Sequence, residues 1–176
     1  MGKYDKLLSK GYIWRMDILI FVTLGTQDKP FYRLLKTIDD AITNGIINDR
    51  VIVQSGYTKY ESNKMEIFPL IDRKEFEKII QEADLLITHG GVGSIITGLN
   101  YNKKVIATPR LSIFKEHVND HQMQIIKCFE KEQYIIPLYD LEKLEEALVK
   151  SKSFTPKKYT SNNQNFISIL QNLIEN

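Results

Sequence analysis

The residues best suited to chemistry form a glycine-rich turn in the middle of the chain. Residues 84–88 (DLLIT) are mostly apolar and predict a buried strand, which runs directly into residues 89–94 (HGGVGS). Residues 93–100 then predict a helix. Glycines let a ligand approach the backbone closely, and the free N–H groups of a helix's first turn attract an anion. The turn therefore predicts a site for a phosphate or diphosphate, and hence for a nucleotide or a nucleotide-activated molecule. The residues expected to contact it are His89, Gly90, Gly91, Gly93 and Ser94.

Two other glycine-rich phosphate loops fit this turn less well. A dinucleotide fingerprint needs a third glycine where the chain has Ile96, and it follows the first strand of a domain rather than lying in its second half. A Walker loop needs glycine followed by Lys and Ser or Thr, a combination that the sequence lacks. The dinucleotide hypothesis stays open, and it predicts an oxidoreductase that binds NAD and needs no partner.

A second polar segment, residues 116–122 (EHVNDHQ), precedes a predicted helix. Glu116, Asn119 and Gln122 carry donors and acceptors that suit the hydroxyl groups of a ribose or a sugar. Asn119 and Asp120 equally suit the capping of a helix. The segment therefore predicts either ligand contacts or a structured helix start.

His117 and His121 would share one face of a helix that began early, and Glu116 and Asp120 lie beside them. Such a cluster could hold a metal ion. The spacing does not match the zinc protease pattern, and the sequence has no further Cys/His cluster. We expect no metal.

Two basic side chains follow predicted strands. His89 ends a strand beside the glycine turn, where it would either contact the ligand or fix the loop by bonding to the backbone. Arg110 follows Pro109 and would either reach a phosphate or lie on the solvated surface. No Ser-His-Asp arrangement or pair of carboxylates marks a catalytic centre. The candidates for a catalytic base are His89, Glu116, Asp120 or a group on another polypeptide.

The rest of the chain alternates strands with helices. The predicted strands cover residues 17–23, 51–54, 65–68, 84–88, 105–108 and 134–137. One predicted helix begins at Pro30, a second is capped by Asp72, and three more cover residues 93–100, 117–130 and 140–150. This alternation predicts an α/β fold, a Rossmann-like doubly wound parallel sheet with helices on both faces.

Ligands of such sheets bind beyond the carboxyl ends of the strands. Four informative segments fall at that edge, and their convergence is a stronger signal than any one of them. They are residues 25–27, 54–57, 89–91 and 110–122.

The composition limits the class of protein. A chain of 176 residues with 43% hydrophobic residues suits one compact domain. A net charge of +2 does not indicate nucleic-acid binding. The single cysteine, Cys128, excludes an internal disulfide framework, fits a reducing compartment and is expected in the core. No apolar run reaches the roughly 20 residues of a membrane span.

Both ends of the chain differ from this pattern. Residues 1–15 contain scattered apolar and basic residues before the regular pattern starts at Met16, so we expect an upstream extension or a cloning remnant followed by a domain over residues 16–176. A basic patch for an acidic membrane surface is the alternative for residues 1–15. A polar linker after Lys150 precedes an amphipathic helix, which would pack on its own sheet or serve another chain. The apolar face of that helix comprises Phe166, Ile169, Leu170, Leu173 and Ile174.

Four segments together resemble the C-terminal, donor-binding domain of family 28 glycosyltransferases. They are residues 21–26, 82–94, 103–110 and 116–122, within a resemblance that covers residues 16–150. The chain is most similar to stand-alone versions of that domain. These include the soluble subunit of the two-chain transferase that adds GlcNAc to a dolichol-linked sugar. Bacterial capsule and exopolysaccharide subunits that pair with a membrane-anchored partner are more similar still.

The resemblance implies one half of a GT-B enzyme that holds a UDP-sugar. The glycine turn would face the diphosphate, and residues 119–122 would hold the sugar. Gly25, Thr26 and Gly56 would line the cleft, and the backbone near Phe68 would meet the uracil. The family uses no metal or other cofactor, since the helix dipole and basic groups offset the charge of the leaving diphosphate.

The resemblance also implies partners and a place in the cell. A membrane-anchored glycosyltransferase subunit would hold the lipid-linked acceptor and is a candidate source of the catalytic base. This chain would work in the cytoplasm, at the inner face of the plasma membrane. The reaction would be the inverting transfer of a hexose or GlcNAc-type sugar in capsule or exopolysaccharide synthesis. The alternative is a non-catalytic enhancer that activates a partner transferase.

The chain departs from the family at one position. Larger members carry a Glu in the helix after the glycine turn, where it contacts the ribose hydroxyls. Thr97 and Gly98 occupy the matching positions here. Either Glu116 takes over that contact, or the ribose is held differently.

Overall fold

The structure, a computed structural model, describes residues 18–160 together with 167, 168 and 171. The predicted extension over residues 1–15 lies outside the described residues. Of the predicted C-terminal helix, only residues 167, 168 and 171 are described, and they are helical.

The described chain alternates strands and helices as predicted. The strands are β1 (Leu19–Thr23), β2 (Arg50–Gln54), β3 (Glu66–Phe68), β4 (Leu85–His89), β5 (Lys104–Thr108) and β6 (Ile136–Pro137). The helices are α1 (Tyr32–Thr43), α2 (Arg73–Glu82), α3 (Val92–Asn100), α4 (His121–Lys131) and α5 (Leu144–Ser153), with short 3-10 helices at Ser112–Phe114 and Leu141–Lys143.

All six strands form one parallel sheet in the order β3-β2-β1-β4-β5-β6. The order reverses between β1 and β4, where the chain passes from one half of the sheet to the other. The predicted doubly wound α/β fold is confirmed. A parallel sheet of this kind opens a crevice at the carboxyl ends of its strands, next to the point of reversal.

Each face of the sheet has its own apolar core. In β1, Ile20 and Val22 join a buried cluster with side chains of α1 and α5. Leu19 and Phe21 point to the other face and join a second cluster with side chains of α2, α3 and α4. Because helices cover both faces, the central strands are continuous apolar runs rather than alternating ones.

Two helices begin later than predicted. Helix α1 starts at Tyr32 instead of Pro30, because Phe31 is buried and its N–H donates to Thr58 Oγ1 at 2.9 Å. Helix α4 starts at His121 instead of His117. Residues 116–120 instead form a loop held by tertiary bonds, so His117 and His121 do not share a helix face.

Other elements differ in length or in helix type. Strand β6 is reduced to Ile136–Pro137, and the predicted helix over residues 140–150 opens with a 3-10 turn before α5. The predicted cap of α2 is confirmed, since the Asp72 carboxylate accepts the Glu75 N–H at 2.9 Å. Cys128 is half-buried and packs against the second cluster. Within the described ranges, no helix combines the length and apolar character that a membrane crossing needs.

Candidate functional site

An open cleft of about 490 Å³ lies at the carboxyl edge of the sheet, beyond the ends of β1, β2 and β4. Its position is the one that the predicted fold required. Three of the four predicted segments, residues 25–27, 54–57 and 89–91, contribute to its lining, whereas residues 110–122 do not. The lining residues are Thr23, Gly25, Thr26, Gln54, Ile71, Arg73, Phe76, His89, Gly91, Gly93, Ser94 and Thr97.

The glycine turn places a helix start at this cleft. Strand β4 ends at His89, Gly91 occupies the N-cap position of α3 without a side-chain cap, and the Ile95 N–H donates to the Gly91 carbonyl at 3.2 Å. The N–H groups of the first turn precede this first helical bond and are left for an external acceptor. Gly93 is exposed, and beyond its own helix and chain neighbours nothing lies within 4 Å of where a Cβ would be. The predicted anion site is thus geometrically open.

His89 forms part of the cleft floor between two glycines. A Cβ on Gly25 would lie 2.5 Å from His89 Cε1, and a Cβ on Gly91 would overlap His89 Nε2. Burial and the charge of Arg110 lower the pKa of His89 to about 4, although a hydrogen bond with the Thr23 backbone raises it. The ring is therefore neutral at pH 7. Its contact with the backbone favours the loop-fixing interpretation, while ligand contact stays a prediction.

Gly25 and Gly56 bring two strand ends together. Both have a positive φ, of 73° and 58°, and a Cβ on Gly56 would lie 2.5 Å from the Gly25 carbonyl oxygen. The Gly56 N–H donates to the Pro69 carbonyl at 2.7 Å, and the Phe68 carbonyl accepts the Ser55 N–H at 2.8 Å. Gly25 lines the cleft as predicted. Gly56 packs against Gly25 but does not itself line the cleft. The Phe68 carbonyl is already used by its bond with Ser55.

Glu116 is a buried structural carboxylate. It accepts two bonds from Arg33, Nε to Oε1 at 2.8 Å and Nη2 to Oε2 at 2.7 Å, and its Oε2 also accepts the Leu111 N–H at 3.1 Å. It does not line the cleft. In this arrangement its oxygens are used by the protein, so neither the predicted ribose contact nor the predicted catalytic role gains support.

Residues 119–122 also bond within the protein. The Asp120 carboxylate accepts the Ser112 N–H at 2.8 Å. Hydrogen bonds with the backbone and side chain of Ser112 lower the pKa of Asp120. Asn119 Oδ1 accepts the His121 N–H at 3.3 Å. His121 Nδ1 is buried with no hydrogen-bond partner among the described residues. The capping and loop-structuring alternative accounts for Asn119 and Asp120, and contact with a sugar stays a prediction.

Gln122 connects the glycine turn to the next strand end. Its Oε1 accepts the Gly90 N–H at 3.2 Å and the Arg110 N–H at 3.0 Å. A Cβ on Gly90 would lie 2.7 Å from Gln122 Cβ, so the glycine is needed for this close approach. Gln122 therefore holds the turn in place from below the cleft.

Arg110 points into the interior. Its side chain is 1% exposed and bonds to backbone carbonyls, so the prediction of a solvated surface residue is wrong. It is not among the residues that line the cleft. The alternative prediction, direct contact with a phosphate, finds no support in this position.

Several lining residues were not predicted from the sequence. Ile71 lies just before α2, and Arg73 and Phe76 belong to the start of that helix, so this part of the chain contributes one wall of the cleft. The rings of Phe76 and Phe21 pack edge-on with their centroids 5.2 Å apart. Thr23 lines the floor beside Gln54, which belongs to the predicted segment 54–57, and Thr23 Oγ1 lies 3.3 Å from Gln54 Oε1. The position of Thr23 at the last residue of β1 was the available signal. Thr97 also lines the cleft, and its hydroxyl donates to the Gly93 carbonyl at 2.7 Å.

No metal-binding cluster accompanies this cleft. Between residues 18 and 160 and at the three later described positions, no group of three or more His, Cys, Asp or Glu side chains is arranged to hold an ion.

A doubly wound parallel sheet with an open helix N-terminus at its carboxyl edge defines a Rossmann-like α/β domain, a class that binds its ligands at this edge. The sequence matches the family model described as the glycosyltransferase family 28 C-terminal domain over residues 19–176. The chain belongs to this family, and its fold is that of one half of a GT-B glycosyltransferase.

Two curated relatives carry the name UDP-N-acetylglucosamine transferase subunit ALG13. The protein from Candida albicans is 31% identical over 91 residues, which cover 52% of this chain and 29% of the relative. The protein from Debaryomyces hansenii is 27% identical over 116 residues, which cover 60% of this chain and 54% of the relative. The chain therefore spans less than two thirds of the length of either relative.

Solved structures support the same fold. The solution structure of ALG13 has a TM-score of 0.58 at 23% identity, covering 88% of this chain and 95% of that one. Os79 from O. sativa in complex with UDP has a TM-score of 0.62 at 11% identity, covering 99% of this chain and 38% of that one. The glycotransferase of kitacinnamycin has a TM-score of 0.58 at 14% identity, covering 95% and 41%. In the latter two, the likeness extends over only one part of a longer chain.

Proposed function

We propose that this chain is the donor-binding subunit of an inverting, UDP-sugar-dependent glycosyltransferase. The observation that carries the proposal is the open N-terminus of α3, which faces the cleft at the point where the strand order reverses. Family membership supports the reaction class, and the names of the ALG13 relatives make UDP-GlcNAc the first donor to test.

The diphosphate would bind at the first turn of α3. Gly93 leaves room for it, and the N–H groups of the turn and the helix dipole supply a positive potential. As the bond to the sugar breaks, negative charge grows on the leaving diphosphate, and fixed donors stabilise that charge without reorganising. The helix start would therefore contribute to catalysis as well as to binding.

The uracil base of the donor would lie against the start of α2. Ile71 and Phe76 provide an apolar wall, and Phe76 is held by its edge-on contact with Phe21. The exposed guanidinium of Arg73 pairs with Glu77 at 2.8 Å and lines the same side of the cleft. This wall suits a flat ring with polar edges, and it would replace the predicted uracil contact at the Phe68 backbone, whose carbonyl already accepts the Ser55 N–H.

The catalytic base would come from the other half of the enzyme. His89 is neutral and buried, Glu116 pairs with Arg33, and the pKa of Asp120 is lowered by its bonds to Ser112, which makes it a weaker base. In our proposal, a membrane-anchored partner subunit supplies the base and holds a lipid-linked acceptor. The chain then works in the cytoplasm at the inner face of the plasma membrane, in the synthesis of a bacterial capsule or exopolysaccharide.

Calorimetric titration of the purified chain tests donor binding. The ligands are UDP, UDP-GlcNAc, UDP-galactose, UDP-glucuronic acid and NAD, and we expect binding of UDP and of at least one UDP-sugar. Binding of NAD without UDP would overturn the proposal in favour of the dinucleotide hypothesis. If the chain alone binds none of them, the same titration on the chain co-expressed with its partner decides whether the site is completed by that partner.

A second experiment separates a donor-binding subunit from an enhancer. All three candidate catalytic bases make contacts within this chain. That arrangement is also compatible with a chain that only activates a partner transferase. We expect the purified partner alone to transfer no sugar and the mixture to do so. A partner that turns over donor at the full rate without this chain would show that the chain is an enhancer.

A further inference from the structure

Arg110 joins two loops that border the cleft and are distant in sequence. The first loop, residues 24–31, leads from β1 to α1, and the second, residues 109–120, leads from β5 to α4. The side chain starts in the second loop and reaches the first, and it is almost fully buried. A residue in this position can transmit the geometry of one loop to the other.

Both terminal nitrogens of Arg110 donate to carbonyls of the first loop. Nη1 lies 2.6 Å from the Lys29 oxygen and Nη2 lies 2.7 Å from the Leu24 oxygen. These carbonyls flank the segment that contains Gly25 and Thr26, which line the cleft. The guanidinium therefore fixes the first loop on both sides of its ligand-facing part.

The same residue is tied to its own loop and to the glycine turn. Nη1 also lies 3.4 Å from the Glu116 carbonyl oxygen. The Arg110 N–H shares the Gln122 side-chain oxygen with the Gly90 N–H. Phe31 provides a flat surface for the guanidinium, whose carbon lies 5.0 Å from the ring centroid. The contacts thus run without interruption from the first loop to the turn that starts α3.

We propose that Arg110 is a positioning residue of the donor site, which sets the spacing between the Gly25–Thr26 segment and the glycine turn without touching the ligand. This inference rests on the proposed function only for the identity of the ligand. The planar fork of arginine suits the task, since it places two donors at a fixed separation.

The charge of Arg110 provides a readout that is independent of any ligand. Burial lowers its pKa to about 10 and the nearby Glu116 raises it, so the guanidinium stays charged at pH 7. That charge is one of the causes that lower the pKa of His89, together with burial and the smaller effect of His117. Removal of the charge should therefore raise the pKa of His89.

Three variants test the inference. Arg110→Met removes the donors and the charge, and Arg110→Lys keeps the charge but not the planar fork. Arg50→Met is the matched control, because Arg50 is a half-buried arginine that pairs with Glu66 at 2.7 Å at the opposite, amino end of the sheet.

We expect Arg110→Met and Arg110→Lys to weaken UDP binding about tenfold or more, as small misplacements of a site do. Hydrogen exchange of the amides in residues 25–31 and 110–119 should accelerate in both. The NMR-monitored pKa of His89 should rise in Arg110→Met and stay in place in Arg110→Lys. Arg50→Met should change none of these.

Unchanged exchange in both loops together with unchanged UDP affinity in Arg110→Met would overturn the inference. If that variant does not fold, Arg110→Lys decides, since faster exchange limited to the two loops supports positioning and unchanged exchange contradicts it. If the wild-type chain binds no UDP, alone or with its partner, the proposed function fails. In that case, hydrogen exchange of the two loops and the titration of His89 still test the positioning role of Arg110.

Discussion

At the residue scale, the glycines around the cleft have different tasks. Gly25 has a φ of 73° and faces His89, and Gly91 faces the same ring. A side chain at either position would displace His89. Gly93, two residues further on, faces open space. Substitution of Gly93 can therefore test the ligand site without disturbing the packing beneath it.

Gly93→Asp should abolish UDP binding while leaving the domain folded. A carboxylate at a helix start is favourable to the helix, so we expect stability to rise by about 0.5 kcal/mol. The same carboxylate occupies and repels the predicted diphosphate position. Urea unfolding and calorimetric titration measure the two effects, and Gly93→Ala, which adds no charge, should lose less affinity. Full UDP affinity in Gly93→Asp would exclude a diphosphate at this helix start.

Gly91→Ala should instead lower stability, because its Cβ would overlap the ring of His89. We expect a loss of about 1–3 kcal/mol, typical of overpacking in a buried site. The double variant Gly91→Ala with His89→Ala relieves the overlap and should lose less than the sum of the two single variants. Additive losses in urea unfolding would show that the two residues do not compete for space.

His89 should also make folding sensitive to pH. Its pKa is about 4 in the folded protein and 6.5 ordinarily, so the unfolded chain binds the proton more readily. Stability contributed by the neutral ring is complete above pH 6.5 and is lost as the pH falls towards 4, by about 3 kcal/mol in total. Urea unfolding across this range should show a steeper loss for the wild type than for His89→Gln. Parallel curves would contradict the buried, neutral state of the ring.

At the element scale, the strands and the glycine turn could be predicted because local sequence determines them. Continuous apolar runs mark β1, β4 and β5, and Gly90 and Gly91 mark the turn before α3. The start of α4 could not be predicted in the same way. Residues 116–122 have the polar pattern of a helix start, but the Glu116 carboxylate pairs with Arg33, 83 residues earlier in the chain. The inward direction of Arg110 depends likewise on carbonyls of a distant loop.

Glu116→Gln should therefore loosen the loop between β5 and α4. The substitution breaks a bidentate pair in which Glu116 is buried, and we expect a loss of about 2 kcal/mol in urea unfolding. Asp40→Asn is the control, because Asp40 pairs with Lys36 on the exposed side of α1. That variant should show no measurable change. Equal effects of the two variants would contradict a structural role for the Glu116 pair.

At the scale of the whole molecule, the chain corresponds to one part of longer enzymes. It matches 38% of Os79 and 41% of the kitacinnamycin glycotransferase, yet 95% of the ALG13 structure. Its own sheet is nevertheless covered on both faces by the helices between residues 32 and 153. The sheet therefore has its own core on both faces, while the cleft stays open at the carboxyl edge.

Two truncations should separate folding from assembly. Residues after α5 are anchored by Lys157, whose N–H donates to the Gln133 carbonyl at 3.0 Å, and by Tyr159, whose ring meets Tyr134 edge-on at 5.4 Å. A chain that ends after residue 160 keeps both contacts, so its melting temperature should change little. A chain that ends after residue 153 loses both and should be less stable by about 1–2 kcal/mol.

The amphipathic pattern of residues 166–174 predicts that the chain ending after residue 160, although stable, binds the proposed partner less well. Thermal unfolding measures the first property, and co-purification with the proposed membrane-anchored subunit measures the second. A large loss of melting temperature with intact pairing after removal of residues 161–176 would assign that segment to the core of this domain. Loss of pairing with an unchanged melting temperature would assign it to the interface with the proposed partner.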